Sequence, residues 1–254
     1  MTTASHPARE PIHIAALAER NGWRAEPCGT SANGVPIVAW WPARTPTRVV
    51  WAAIHGEESS TLLLAQQLLR VVHAEDACAV VVPVLNPDGV LLGTRQNARG
   101  VDLNRNFPVA TWSPAPSPTF WPSAMTRRSE FRNQLSSPGH APGSEPETQA
   151  IMALVERVQP ELVVDLHAPL DCIIAVSDQA AALAPHFAEP AGLPVVRGLA
   201  GPTPGDCASW CEEQGATAVT YEVELGTFPQ LWQRHRNALE RCIVEQRDLP
   251  ARAS

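Results

Sequence analysis

The sequence predicts one α/β domain with a mixed, largely parallel central sheet flanked by helices. Three observations carry that prediction. Arg48-Val-Val-Trp-Ala-Ala-Ile54 and Ala79-Val-Val-Val-Pro-Val-Leu85 are continuous apolar runs, as long as strands buried on both faces. A helical run, Leu62 to His73, separates them, and strand, helix, strand in that order marks a parallel crossover. A third buried run, Leu162 to Leu166, follows another helix, so the alternation continues. The 254 residues fit a single domain over 1–254. A domain of this size buries roughly 70–75% of its unfolded surface, so disulfides are not needed for a core.

The elements follow in order. Ile12 to Asn21 reads as a helix closed by Gly22, with short strands around Ala25–Cys28 and Val35–Trp41. The strand at 48–54 ends on His55-Gly56, and Ser60-Thr61 opens the next helix. Asn86-Pro87-Asp88-Gly89 has the composition of a turn. Residues 108–143 are rich in Pro, Ser and Trp without a period, the pattern of a long irregular loop near a site or of a disordered stretch. Ser144-Glu145-Pro146-Glu147 matches a capping box with Ser144 at the cap, and apolar residues follow from Ile151 to Val158. Cys172–Val176 reads as a fourth strand, Gln179–Phe187 as a helix and Asp206–Gln214 as a short helix closed by Gly215. Ala216–Leu225 is the fifth strand, and Pro229–Arg247 a C-terminal helix.

Composition narrows the partners. The net charge is −7 and no basic run exists, which argues against nucleic acid and anionic membrane. All nineteen basic residues are Arg, so only the placement of particular arginines is informative. Met1 to Glu10 is polar, with no apolar stretch of a signal peptide, and no run of about 18 apolar residues spans a membrane. Cys28, Cys78, Cys172, Cys207, Cys211 and Cys242 lack paired CxxC spacing and read as reduced thiols packed as small apolar groups. The expected compartment is the cytoplasm. Oligomeric state is left open, a homodimer included.

Chemistry concentrates at strand ends. His55 and Glu58 are three apart directly after a strand, and His167 stands where another strand stops. Imidazole nitrogen and carboxylate oxygen suit zinc, whose catalytic sites take three protein ligands and keep one open position. Ligands of open α/β sheets gather beyond the carboxyl ends of strands, so adjacent strands bring these residues together. A second His-x-x-Glu, His186 to Glu189, falls inside a predicted helix and reads as a surface pair. The stretch from Gly93 to Phe107 holds Arg95, Arg99 and Arg105 with Asp102 and several amides, a composition neither an amphipathic helix nor a strand needs. Its guanidinium forks suit a carboxylate or a developing oxyanion.

His55-x-x-Glu58, Asn86-Pro-Asp-Gly89, Asp102-Leu-Asn-Arg-Asn106, Asp165-Leu-His167 and Glu224-Leu225 occur in the order seen in zinc metallocarboxypeptidases of the carboxypeptidase A type, which the chain resembles. Gly93-Thr-Arg95 through Phe107, Ser144-Glu-Pro-Glu-Thr-Gln149 and Thr203-Pro-Gly205 are similar to the bacterial murein peptide amidase branch. The resemblance covers roughly residues 48–230. It implies a carboxypeptidase/phosphorylase-like fold and one zinc ion held by His55, Glu58 and His167. It implies Glu224 as general base, with Glu222 as the rival two residues away on the same face. Arg95 matches the residue that polarises the scissile carbonyl, with Arg99 as the alternative. Asn104 and Arg105 match the pair that grips a terminal carboxylate. Asp102 matches the acceptor that orients a zinc-bound histidine.

One departure bears on specificity. Carboxypeptidase A relatives carry a mobile tyrosine over the substrate, and the single tyrosine here, Tyr221, lies within the final strand. Asp206, opening its helix after Gly205, is the residue we assign to a cationic amine on the released residue; an ordinary helix cap is its other reading. The resulting expectation is a zinc amidase that cleaves the γ-D-glutamyl–diaminopimelate bond of murein tripeptide in cell-wall recycling. A general metallocarboxypeptidase acting on C-terminal L-residues and an aspartoacylase-like deacylase of acyl-amino acids are the alternatives.

Overall fold

The central strands end together at one edge of the sheet in the computed structural model, which describes residues 14–118, 135–199, 201 and 203–244. Helix α1 (Ile14–Arg20) leads into β1 (Arg24–Thr30), β2 (Pro36–Trp41) and β3 (Arg48–Ala52). Helix α2 (Ser59–Val71) precedes β4 (Ala79–Val82), then come α3 (Pro87–Leu92), a 3-10 turn at Leu103–Arg105, and the short pair β5 (Ser117–Pro118) and β6 (Leu135–Ser136). Helix α4 (Pro146–Val158), β7 (Leu162–His167), β8 (Cys172–Ala175), α5 (Asp178–Ala188), β9 (Val195–Arg197), α6 (Cys207–Glu213), β10 (Thr217–Glu222) and α7 (Phe228–Ile243) complete the order.

Among the described residues eight strands form one sheet, in the order β1-β2-β4-β3-β7-β10-β8-β9. The middle four, β4, β3, β7 and β10, are mutually parallel, while β1, β2 and β8 introduce antiparallel pairings. The sheet is therefore mixed with a parallel centre, as its apolar runs require: β3, β4 and β7 are buried along their whole length. Alternation sends Val50 and Ala52 of β3 into a core shared with α2 and α7, and Val49 and Trp51 into a second core against α4 and α6. β3 pairs with β4 on one side and β7 on the other, and the crossover helices α2 and α4 pack on opposite faces. The chain thus reverses its winding between β3 and β7, the place where open α/β sheets form a crevice.

Several boundaries differ from expectation. Asn86-Pro-Asp-Gly is no simple turn. It starts α3, with Asn86 Oδ1 accepting the Gly89 N–H at 2.9 Å and Pro87 at the first position, where its missing N–H costs nothing. At α4 the cap residue is Glu145 and makes no side-chain cap bond. Pro146 occupies the first turn, and Ser144 sits one residue outside, bonding Glu145 Oε1 at 2.8 Å. The fifth predicted strand is β10 and stops at Glu222, three residues early. The loop at 108–143 contains the β5–β6 pair, and its residues 119–134 lie outside the described residues. So do Ile12 and His13 of the first predicted helix and 245–247 of the last. All six cysteines are free, five of them buried. Among the described residues no helix is long and apolar enough to cross a membrane.

Candidate metal centre and active site

The site forms where β3, β7 and β10 end. Ala53, with a left-handed φ of 54°, turns the chain out of β3, and Asn86 Nδ2 holds the Ile54 carbonyl at 3.1 Å. His55 is thereby delivered to the sheet edge, and Glu58, just before α2, returns toward it. His167 is the last residue of β7. His55 Nδ1 lies 2.8 Å from Glu58 Oε1, and His167 Nδ1 lies 3.1 Å from Glu58 Oε2. The three residues are buried and offer ligand atoms all within 4.8 Å of one another.

The outer ring nitrogens identify what this cluster can hold. His55 Nε2 meets Asp102 Oδ1 at 3.3 Å, and His167 Nε2 meets Asp165 Oδ2 at 2.8 Å. Carboxylates there keep the proton on Nε2 and leave both Nδ1 lone pairs converging beside the Glu58 carboxylate. Two imidazoles and one carboxylate with room for a fourth ligand fit a catalytic zinc ion. Burial opposes ionisation of Glu58, but His55 and His167 overcome it and hold the carboxyl below its ordinary range. The Ala168 N–H adds a bond to Glu58 Oε2 at 3.1 Å. Asp165 belongs to the Asp165-Leu-His167 motif, but the sequence alone assigns it no role of its own. Its spacing of two from His167, which puts both on one face, was the available signal.

The arginine-rich stretch wraps over this centre. Arg95 Nε donates to Asp102 Oδ2 at 2.8 Å, and its Nη1 is 3.8 Å from Glu58 Oε1. Asp102 therefore serves two residues at once. Burial would raise its carboxyl, but Arg95 and His55 outweigh that and hold it well below the ordinary range. Arg99 is elsewhere: its side chain is 53% exposed and points at Glu145. Asn104, Arg105 and Asp206 line the same cavity as His55, Glu58, His167 and Arg95. Asp206 caps α6, its Oδ1 accepting the Ser209 N–H at 2.9 Å, and the residue also lines the cavity.

The preference for Glu224 as base is corrected by where the two glutamates lie. The last ladder bond of β10, Val223 N–H to His167 carbonyl, is followed by a change of direction, so alternation no longer applies beyond Glu222. Glu224 turns toward α7, where Oε2 meets His235 Nε2 at 2.6 Å and Arg234 Nη1 at 3.0 Å. Glu222 instead lines the cavity and is 6% exposed. Burial, with the Glu58 charge adding to it against the pull of His167, pushes its carboxyl up to about 7. A further carboxylate beside the site, not singled out from the sequence, is Glu57. Burial, opposed by His55 and Arg95, likewise raises it to about 7, and neither oxygen has a hydrogen-bond donor. Tyr221 is fully buried with its hydroxyl on His235 Nδ1 at 2.8 Å, which excludes it as a lid.

A zinc ligand set at the carboxyl edge of a switch-point sheet, with arginines and a buried carboxylate around one cavity, defines a metallohydrolase. The family model described as zinc carboxypeptidase matches residues 23–235, and the chain belongs to that family. It is 39% identical over 197 residues to murein peptide amidase A of Escherichia coli strain K12, covering 76% of this chain and 78% of that protein. To murein peptide amidase A of Vibrio campbellii it is 30% identical over 226 residues, covering 87% and 88% of the two chains. The crystal structure of a murein-tripeptide amidase from Escherichia coli O157 superposes with a TM-score of 0.76 at 33% identity, over 85% of this chain and 90% of that one. A carboxypeptidase A from Helicoverpa armigera shares the fold, with a TM-score of 0.67 at 20% identity, over 89% and 69% of the two chains.

Proposed function

We propose that the protein hydrolyses the γ-D-glutamyl–diaminopimelate amide of murein tripeptide, in the cytoplasm and in the service of cell-wall recycling. The observation that supports this reading is that one cavity is lined by the zinc ligand set, Arg95, Glu222, Asn104, Arg105 and Asp206. The relatives named for murein peptide hydrolysis support the choice of amide.

His55, Glu58 and His167 hold the zinc ion, which when bound acts as a Lewis acid and makes water nucleophilic at neutral pH. Asn104 and Arg105 bind the free terminal carboxylate and set the register of the peptide. Arg95, held through Nε by Asp102, presents its remaining N–H groups to the carbonyl oxygen and stabilises the developing oxyanion. Glu222 takes the proton of the attacking water and returns it to the leaving amine. Asp206 faces the ammonium group of the released residue.

The test is release of diaminopimelate from the γ-D-glutamyl tripeptide, measured before and after chelation and beside a library of ordinary L-peptides. Metal-dependent turnover confined to the tripeptide is expected. Turnover of L-peptides without the tripeptide would replace this reading with that of a general metallocarboxypeptidase.

A further inference from the structure

The four residues that join β7 to β8 do more than connect them. Ala168 N–H donates to Glu58 Oε2 at 3.1 Å, and Leu170 N–H donates to Glu222 Oε2 at 3.2 Å. One short turn therefore supplies backbone donors both to a metal-ligating carboxylate and to the base. A backbone donor fixes a carboxylate only as well as its own segment is fixed. Asp171, which closes the turn, has a left-handed φ of 54°, a region that aspartate enters more readily than most non-glycine residues, and its side chain takes outside contacts there.

Those contacts come from α7. Arg234 Nη1 is 2.8 Å from Asp171 Oδ1 and 3.0 Å from Glu224 Oε2, while its Nε donates to the Ala191 carbonyl at 3.0 Å. Glu224 also meets His235 Nε2, and His235 Nδ1 accepts from the Tyr221 hydroxyl. Tyr221 directly precedes Glu222 on β10. Two adjacent residues of α7 thus tie together the turn and the strand end that flank Glu222.

We propose that Arg234 is a positioning residue for the hydrolytic reaction: it pins Asp171, and through the Leu170 N–H it orients the Glu222 carboxylate. The proposal rests on Glu222 being the base but not on which amide is cleaved. Arg234 and Asp171 are partly exposed, with side chains 33% and 45% accessible. Exposed ion pairs add little to global stability, so substitution separates positioning from folding.

The experiment uses the zinc-loaded full chain with Arg234→Ala, Arg234→Lys, Asp171→Asn and the Ala/Asn double variant. Misplacement of a catalytic group by about 1 Å costs up to roughly a hundredfold, so kcat of Arg234→Ala should fall about ten- to a hundredfold, with KM changed less than about twofold. Zinc content should stay at one per chain. Amide exchange in a peptide spanning 167–172 should accelerate in Arg234→Ala and be partly restored in Arg234→Lys. Asp171→Asn should match Arg234→Ala, and the double variant should lose nothing further. Wild-type kcat in Arg234→Ala, unchanged exchange at Leu170, or additive losses in the double variant would each overturn the proposal. Near-normal turnover by Glu222→Gln would instead remove the base assignment, with the exchange result still reporting whether Arg234 holds the turn.

Discussion

The backbone N–H of Cys207 donates to Asn104 Oδ1 at 2.8 Å, and that bond decides which end of the Asn104 amide is free. With the oxygen committed to the first residue of α6, the NH2 group is left to the cavity as a donor. Arg105 stands beside it with Nε on Ser117 Oγ at 3.2 Å, so neither side chain swings freely. Asn104→Asp keeps the bond to Cys207 but replaces the donor with an anion. Hydrogen bonds to charged groups contribute about 1.5–3 kcal/mol, so kcat/KM on free-acid substrates should drop roughly ten- to a hundredfold, chiefly through KM. Arg105→Ala should act in the same direction. Amidated substrates, already poor, should change little, and an equal loss on both substrate types would refute the anchor.

Glu222→Gln should retain zinc and lose about a hundred- to ten-thousandfold in kcat, the usual contribution of a positioned base. Glu224→Gln should leave the chemistry far less affected, since its carboxylate bonds His235 and Arg234 rather than facing the cavity. The base works as a carboxylate, so activity is lost as pH falls through its pKa. Burial raises that pKa to about 7 in the metal-free site, and the charge of bound zinc opposes the rise. The acid limb of kcat/KM should therefore lie between about 4.3, the ordinary glutamate value, and about 7. A limb that persists unchanged in Glu222→Gln would assign it to another group.

The fate of these two glutamates shows where the sequence stops being readable. Apolar runs such as 79–85 announce buried strands, and the helices between them announce a parallel centre, because burial on both faces leaves little freedom in residue type. The histidines were legible for the same reason, since each terminates such a run. What a run does not carry is its direction or its last residue. β8 turned out antiparallel to β10, and β10 ended two residues before Glu224, so period-two reasoning extended a strand that was no longer there. Asp165 was visible in its motif with His167, but its role was not, because a strand buried along its whole length gives no sign of which contact a charged residue makes. Glu57 and Arg234 had no signal of their own. Their significance lies in contacts across the chain, to Arg95 and to Asp171.

Asp165 and Asp102 orient different histidines, and only Asp102 also holds an arginine. Asp165→Asn should weaken zinc affinity about ten- to a hundredfold, the range for losing a ligand's hydrogen-bond partner, with kcat of the zinc-saturated enzyme nearly kept. Asp102→Asn should weaken zinc similarly and also lower kcat at saturating zinc, because Arg95 loses its anchor at 2.8 Å. Chelator competition gives the affinities, and kinetics at excess zinc gives the remainder. Should both variants recover full kcat with zinc, Arg95 would not depend on Asp102.

Gly56, between His55 and Glu57, lies against the backbone of α3. A Cβ at Gly56 would stand 1.9 Å from the Gly89 carbonyl carbon and 2.3 Å from both Gly89 O and Val90 N. Backbone cannot yield as a side-chain tip can. Moving α3 would disturb Asn86, whose side chain caps that helix and also holds the Ile54 carbonyl just before His55. Gly56→Ala should therefore destabilise by at least the 1–3 kcal/mol or so typical of overpacking, lowering Tm by about 2–4 °C per kcal/mol for a domain of this size. Zinc affinity should fall with it, since the strain is released through the loop that carries His55. Gly93→Ala is the control. Its φ of 66° favours glycine, yet nothing lies within 4 Å of the added atom, so stability should drop by only about 1 kcal/mol with zinc affinity unchanged. If Gly56→Ala bound zinc like the wild type while losing stability, the close approach of the two glycines would serve the core alone and not the delivery of His55.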